Sequence, residues 1–173
     1  MRNKFDPLKA VEVLLYISSK VGGDMYATLK ILYLADKKHL EKYGSSILGD
    51  WYAALQYGPV ASNCYDILKF VRGENNYDAG APNAKEAFKL GNDDQIIPLR
   101  EVDTSFMSES DINCIDEIIT EHGDKDFEEL HKEVQDAAYK ATPRNGSMDI
   151  HAIVSTLPNG AEVNQYLSDP YPD

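Results

Sequence analysis

The segment that decides the fold is residues 29–68, LKILYLADKKHLEKYGSSILGDWYAALQYGPVASNCYDIL. Apolar residues at helical spacing, followed by Gly44, predict a helix over 28–43 that ends at a left-handed glycine cap. The aromatic stretch over 49–56 predicts a short strand, and Tyr57-Gly58-Pro59 predicts a turn after it. The segment contains no recognisable catalytic motif, so we interpret it as a rigid scaffold that presents aromatic and charged side chains for binding.

Helical patterns continue on both sides of this segment. Upstream, Asp6 and Pro7 are typical of a helix N-cap and first helical position, and the glycine pair at 22–23 ends that helix. Downstream, Pro59 is expected to open a third helix. The stretch that follows it, 73–95, is rich in Gly and Asn and is therefore predicted to be a loop region.

The second half of the chain contains one hairpin pattern and three helix starts. Residues 88–90 and 95–99 are expected to pair across a turn at 91–94. Three pairs with helix-capping spacing follow: Ser108 with Asp111, Asp126 with Glu129, and Asn159 with Glu162. We therefore predict a mainly α (α+β) fold, a compact helical domain with a small antiparallel β element. It is expected to occupy 1–167 as one domain, with a flexible tail over 168–173.

Composition narrows the class of protein. With 173 residues and 43% hydrophobic content, the chain can fold around one core. It contains no run of about eighteen apolar residues, and its N-terminal segment is an amphipathic helical pattern rather than a signal peptide. A cytoplasmic protein without a membrane span is therefore predicted. Cys64 and Cys114 both fall on apolar helical patterns, which favours two buried free thiols, while a disulfide stays open.

Charge is distributed unevenly along the chain, whose formal net charge is −12. Residues 1–72 carry ten Lys and Arg against seven Asp and Glu, whereas residues 101–136 carry two against thirteen. A segment this acidic repels nucleic-acid phosphates and favours a basic protein partner. Direct nucleic-acid binding is therefore not expected. The alternative interpretation is a solvated face that only maintains solubility.

Candidate catalytic and metal-binding residues are few. Asp36 and His39 lie one helical turn apart and could bind a metal or form an acid–base pair, but no HExxH or CxxC pattern supplies further ligands. His131 and His151 could join them only through the tertiary fold. A salt-bridged or solvated His39 is the simpler interpretation. We predict no catalytic residue, no metal and no cofactor, and keep a metal-dependent hydrolase as a less favoured alternative.

Tyrosines are concentrated in the first half of the chain, where seven of the eleven lie between Tyr16 and Tyr65. Tyr side chains anchor many protein interfaces because they supply a large contact area at a small cost in conformational entropy. The alternative is packing in the core with bonded hydroxyls, which we expect for about half of them. Tyr33, close in sequence to Asp36, and Tyr57, at the Gly-Pro corner, are the preferred interface candidates.

Several spaced motifs resemble the Panacea domain of SocA-like, phage-associated proteins. The residues that carry the resemblance are KILYLAD at 30–36, His39-Leu40, Tyr43-Gly44, Gly49-Asp50, YGPV at 57–60 and YDIL at 65–68. The second half is similar to the family in pattern, with a capping start at 108–111, an acidic helix, a glycine turn and a further helix from Phe127.

This resemblance implies an antitoxin that neutralises a cognate protein toxin by direct contact, and it implies that the toxin inhibits translation. The acidic segment of the chain favours a basic toxin. The alternative is a phage-associated or proteolytic adaptor that delivers a partner to a Clp protease. The family has no established catalytic residues, so none is transferred. We predict that the helix over 28–43 and the strand and corner over 49–60 form or support the partner-binding face. The candidate residues are Tyr33, Asp36, His39, Tyr43, Asp50, Tyr52, Tyr57, Gly58, Pro59 and Tyr65.

Overall fold

The computed structural model describes residues 4–169 of the chain. Within that range the α-helices are α1 (Pro7–Val21), α2 (Met25–Tyr43), α3 (Ser62–Arg72), α4 (Ala84–Ala87), α5 (Glu109–His122), α6 (Phe127–Val134), α7 (Ala137–Lys140), α8 (Ile150–Ser155) and α9 (Gly160–Ser168). Two antiparallel hairpins complete the fold, β1 (Tyr52–Leu55) with β2 (Gly58–Ala61), and β3 (Phe88–Leu90) with β4 (Ile96–Pro98). The predicted mainly α fold with a small β element is confirmed. No helix within the described range is both long and apolar enough to cross a membrane.

Local sequence signals set most helix ends. Asp6 caps α1 by accepting a hydrogen bond from the Lys9 amide at 3.1 Å, and Asp24 caps α2 through the Ala27 amide at 2.8 Å. The helix predicted over 28–43 is the greater part of α2, which ends at Gly44 with φ +70°. A positive φ is strained for residues with a Cβ atom, so the glycine allows the chain to leave the helix here.

Helix α2 lies at the centre of the molecule and packs against α1, α5, α6 and β2. Twelve of its nineteen residues are buried, among them Lys30, Asp36 and His39. The neighbouring elements cover α2 on several sides. They therefore bury polar side chains of α2 that the sequence pattern would place at the surface. Each fully buried aliphatic side chain in this core, such as Leu32, contributes about 1.5–3 kcal/mol to folding.

Two of the three predicted capping pairs form. Ser108 with Asp111 and Asp126 with Glu129 make reciprocal capping boxes at the starts of α5 and α6. Asn159 makes no side-chain capping bond to α9; its amide instead donates to the Glu41 carbonyl at 2.9 Å. Helix α9 runs through Ser168, the first residue of the predicted tail, and residues 170–173 of that tail lie outside the described residues.

The prediction that Pro59 opens the third helix is wrong. Pro59 lies in β2, opposite Ala54, and α3 begins only at Ser62. Among the described residues β2 pairs with β1 alone, so its other edge needs no backbone donor and tolerates a proline. The two residues between the strands, Gln56 and Tyr57, form the hairpin turn.

The outer edge of β1 is covered by a distant segment. The Ala54 amide donates to the Gly146 carbonyl at 2.9 Å, and the Asn145 amide donates back to the Ala54 carbonyl at 2.8 Å. The Met148 amide donates to the Tyr52 carbonyl at 2.8 Å. The small hairpin is thereby fixed between the two halves of the chain. Cys64 and Cys114 are both buried free thiols, as predicted.

Candidate partner-binding face

A buried polar cluster holds the hairpin to α2. The Asp36 carboxylate accepts hydrogen bonds from the Tyr52 hydroxyl at 2.5 Å and from the Ile47 amide at 2.8 Å. Burial raises the pKa of Asp36 to about 6, although these two bonds act in the opposite direction. Burial, together with Asp36, raises the pKa of the Tyr52 phenol well above its usual value. This pair stabilises the position of β1 and is shielded from any partner.

A second buried bond joins α2 to the second half of the chain. The Tyr33 hydroxyl donates to the Asp136 carboxylate at 2.6 Å, and Lys37 pairs with the same carboxylate oxygen at 2.9 Å. The rings of Tyr33 and Tyr52 meet edge to face, with 5.0 Å between their centroids. Tyr33 is fully buried, so this preferred interface candidate lies in the core rather than at the surface.

His39 is enclosed between α2 and α5. Its Nδ1–H donates to the Ser45 carbonyl at 2.5 Å, and its Nε2 lies 3.1 Å from the Ser110 hydroxyl and 3.5 Å from Asp111. Lys9 also pairs with Asp111, at 2.7 Å. His39 is therefore a buried connector beside an ion pair and is not solvated.

Asp50 caps helix α3 from outside the helix. One carboxylate oxygen accepts from the Asn63 amide at 3.0 Å and the other from the Cys64 amide at 2.9 Å. Ala61, the residue at the formal N-cap, offers no side-chain acceptor. Amide groups in a first helical turn lack partners within the helix, so Asp50 supplies the acceptors that α3 needs.

The exposed aromatic cluster of Tyr57, Phe127 and His131, here called the corner face, joins the β1–β2 turn to α6. Tyr57 and Phe127 are 50% and 45% exposed, and their rings meet edge to face at a centroid separation of 6.0 Å. Phe127 stacks on His131 at 5.6 Å. Two large aromatic side chains that remain half-exposed next to each other provide the kind of contact area found at protein interfaces.

Hydrogen bonds and a close approach fix the geometry of the corner face. The His131 Nδ1–H donates to the Tyr57 carbonyl at 2.9 Å, and Gln135 Nε2 lies 2.9 Å from His131 Nε2. These two contacts hold the His131 ring in place. Gly58 has φ +128°, and a Cβ built on it would lie 3.0 Å from Val134 Cγ2. Glycine therefore allows both the turn and the contact with α6.

The corner face is acidic on the side formed by the start of α6. Helix α6 carries Glu128 and Glu129 in its first turn, immediately after Phe127, and its N-cap is Asp126. Glu128 is exposed and Glu129 is held in the capping box. The predicted acidic segment is thus adjacent to an exposed aromatic pair in the folded chain.

The ten candidate residues fall into three groups. Five act as buried or partly buried supports for the scaffold: Tyr33, Asp36, His39, Asp50 and Tyr52. Gly58 and Pro59 are buried in β2 and shape the hairpin. Three have accessible rings: Tyr43, Tyr57 and, partly, Tyr65.

The accessible candidates do not form one surface. Tyr43 lies thirteen residues after Lys30 on α2, a separation of about 20 Å along the helix axis. Lys30 reaches the corner face, since its Nζ lies 4.9 Å from the centroid of the Phe127 ring. Tyr43 is therefore at the opposite end of α2 from Tyr57.

Sequence reasoning missed two members of the corner face. Phe127 follows the apolar spacing of Leu130 and Val134, which is typical of the buried side of a helix, yet it is half-exposed. His131 was considered only as a metal ligand. One helical turn separates Phe127 from His131, so the pair could have been recognised as one face of α6, but their proximity to Tyr57 depends on tertiary contacts.

The histidines considered for a metal site do not converge. His131 bonds Tyr57 and Gln135, whereas His151 Nδ1 lies 2.8 Å from the Asn164 side chain. Across residues 4–169, no group of three or more His, Cys, Asp and Glu side chains is arranged to hold a metal ion.

The antitoxin SocA-like, Panacea domain family model matches residues 29–138, more than half of the chain. The chain belongs to this family. The matched region contains most of α2, both hairpins, α5 and α6, and it includes the whole corner face. Membership supports an antitoxin role in general and implies a toxin as partner. No curated protein and no solved structure matches this chain.

Proposed function

We propose that this protein is a cytoplasmic antitoxin that neutralises a cognate protein toxin by binding it directly through the corner face. The observation that carries the proposal is the exposed Tyr57–Phe127 pair, whose rings are 6.0 Å apart on a rigid support within a family of antitoxins. Aromatic side chains that are already ordered lose little entropy on binding and are common at interface hot spots.

The charge around this pair favours a basic toxin. Asp126, Glu128 and Glu129 surround Phe127, and the 101–136 segment carries two basic against thirteen acidic residues. Electrostatic attraction speeds association with a partner of opposite charge, while the aromatic contacts slow its dissociation. A basic toxin that acts on RNA or the ribosome, and so inhibits translation, fits this surface.

A growth assay tests the proposal. The neighbouring open reading frame is induced alone, with the wild-type protein, with a Tyr57→Ala/Phe127→Ala double variant, and with a Tyr77→Ala control. Tyr77 is 60% exposed in the loop between α3 and α4 and lies outside the corner face. We expect the wild type and the control to restore growth and co-purify with the toxin, and the double variant to fail at both.

Two results would change the interpretation. Full rescue by a soluble double variant would show that the corner face is not the neutralising surface. Rescue that coincides with loss of the toxin, and that disappears when the host Clp protease is absent, would instead favour delivery to the protease.

A further inference from the structure

A cavity of about 580 Å³ lies beside the corner face, between α2, the β1–β2 turn, α3 and the segment that follows α7. Its volume is within the range of small-molecule sites. The lining combines aromatic and aliphatic side chains with two cationic groups. The residues are Tyr26, Leu29, Lys30, Leu55, Gln56, Tyr57, Pro59, Val60, Tyr65, Arg144 and Asn145.

Lys30 has an unusual environment for a lysine. The Lys30 residue is only 3% exposed. Within residues 4–169, however, no carboxylate forms an ion pair with its ammonium group. By contrast, the partly buried Lys9 and Lys37 pair with Asp111 and Asp136. The contact of the Lys30 ammonium is the Phe127 ring, at 4.9 Å from its centroid. Burial lowers the pKa of Lys30 to about 8, while the Asp24 carboxylate, which forms no ion pair with it, acts in the opposite direction.

The cavity is cationic in an acidic protein. None of the described side chains that line it is acidic, and Arg144, an exposed residue, forms no ion pair within the described part of the chain. Burying an unpaired ammonium group is costly, and the cost is offset when an anion occupies the space next to it. The remaining walls offer the rings of Tyr26, Tyr57 and Tyr65 for stacking.

We propose that this cavity binds a small ligand in which an anionic group, a phosphate or a carboxylate, is joined to an aromatic body. The anionic group is held by Lys30, with Arg144 at the exposed side of the cavity, and the aromatic body packs against the tyrosine rings. The cavity shares Tyr57 with the corner face, but the proposal concerns a small anionic ligand and not the toxin. Failure to bind that ligand would therefore leave the proposed antitoxin function untouched.

Titration of the purified full-length protein with phenyl phosphate, followed by NMR chemical shifts of its backbone and lysine side chains, tests this site. Inorganic phosphate supplies the anion without the ring, and phenol supplies the ring without the anion; benzoate replaces phosphate with carboxylate. We expect phenyl phosphate to bind about tenfold more tightly than either half, because the charged contact and the ring contact act together.

Three variants make the test specific. Lys30→Met should weaken phenyl phosphate binding about tenfold or more, and Arg144→Gln should weaken it about threefold, since charge-assisted bonds are stronger than neutral ones. Lys89→Met, at an exposed position on β3 outside the cavity, should bind as the wild type does.

Several outcomes would overturn the proposal. The first is that phenyl phosphate does not bind at about 10 mM, which corresponds to a negligible affinity. The second is that inorganic phosphate binds as tightly as phenyl phosphate. The third is that a folded Lys30→Met variant binds phenyl phosphate as tightly as the wild type does. If Lys30→Met does not fold, the Arg144→Gln variant tests the site instead, because Arg144 is exposed. Binding of phenyl phosphate by Arg144→Gln as tight as that of the wild type would then overturn the proposed ligand site.

Discussion

The Tyr52 hydroxyl on β1 donates a 2.5 Å hydrogen bond to the Asp36 carboxylate on α2, and both residues are buried. The bond links the central helix to the hairpin whose turn carries Tyr57. Because the carboxylate is enclosed, its ionisation is linked to the stability of the fold. Residues that a sequence motif presents as interface candidates thus support the surface from within.

Stability should depend on pH through Asp36. Its pKa is raised from 3.8 to about 6, so the folded protein binds more protons than the unfolded chain between these values. Raising the pH from about 4 to about 6 should therefore lower the free energy of unfolding of the wild type relative to Asp36→Asn, by an amount on the order of 2 kcal/mol. Urea denaturation of both proteins across this pH range measures the difference.

Two further variants test the origin of this pH dependence. Asp93→Asn changes an exposed carboxylate in the β3–β4 turn and should give a curve parallel to that of the wild type. Tyr52→Phe removes a bond that favours the charged form of Asp36, so the transition should move to higher pH. Parallel curves for the wild type and Asp36→Asn would contradict the linkage.

Helix α3 should depend on the carboxylate of Asp50. Asp50→Ala removes the acceptors for the Asn63 and Cys64 amides and should lower the free energy of unfolding by about 1–2 kcal/mol. Asp50→Asn keeps one acceptor oxygen and should lose less. Chemical denaturation measures both, with Asp124→Ala, at an exposed turn position, as the control. Equal stability of Asp50→Ala and the control would show that the cap contributes little.

The sequence predicts the elements whose signals are local. Periodicity, Asp6 and Gly44 define α1 and α2, and the capping boxes at Ser108 and Asp126 define α5 and α6, because each signal lies within a few residues of the element it sets. The sequence does not indicate that Pro59 lies in a strand, since a proline before a helical pattern is typical of a helix start. Only the pairing of Pro59 with Ala54 distinguishes a strand from a helix start at this position.

The candidate site depends more on contacts between distant residues. Tyr57 is exposed because it occupies a hairpin turn, which the Gly-Pro corner indicates. Tyr33 is buried because Asp136, more than a hundred residues later, accepts its hydroxyl bond. No local pattern contains that partner. Phe127 likewise reaches Tyr57 only when α6 packs against the hairpin.

Gly58 should tolerate no side chain. Its φ of +128° disfavours any residue with a Cβ, and the added Cβ would lie 3.0 Å from Val134 Cγ2. Gly58→Ala should therefore destabilise the protein by about 1–3 kcal/mol and disturb the packing of α6 on the hairpin. Gly73→Ala is the matched control, because Gly73 has φ +83° with nothing within 4 Å of the added Cβ. Thermal denaturation measures both variants. A larger loss of stability for Gly73→Ala than for Gly58→Ala would contradict this account.

Toxin binding should be sensitive to the two exposed rings of the corner face. Tyr57→Ala and Phe127→Ala should each weaken binding by about 2 kcal/mol, roughly thirtyfold, if they act as hot spots. Both side chains are about half-exposed, so the free energy of unfolding should change by no more than about 1 kcal/mol. Calorimetry with the purified toxin measures affinity, and denaturation of each variant measures stability.

The comparison with Tyr77→Ala separates a specific surface from a general effect of losing an exposed tyrosine. Tyr77 is more exposed than Tyr57, at 60% against 50%, and makes no contact with Phe127 or His131 among the described ring contacts. Truncating it should leave toxin affinity within about twofold of the wild type, as for residues outside a hot spot. If Tyr77→Ala weakens binding as much as Tyr57→Ala does, the interface lies elsewhere, because the geometry of the corner face would then have no bearing on affinity.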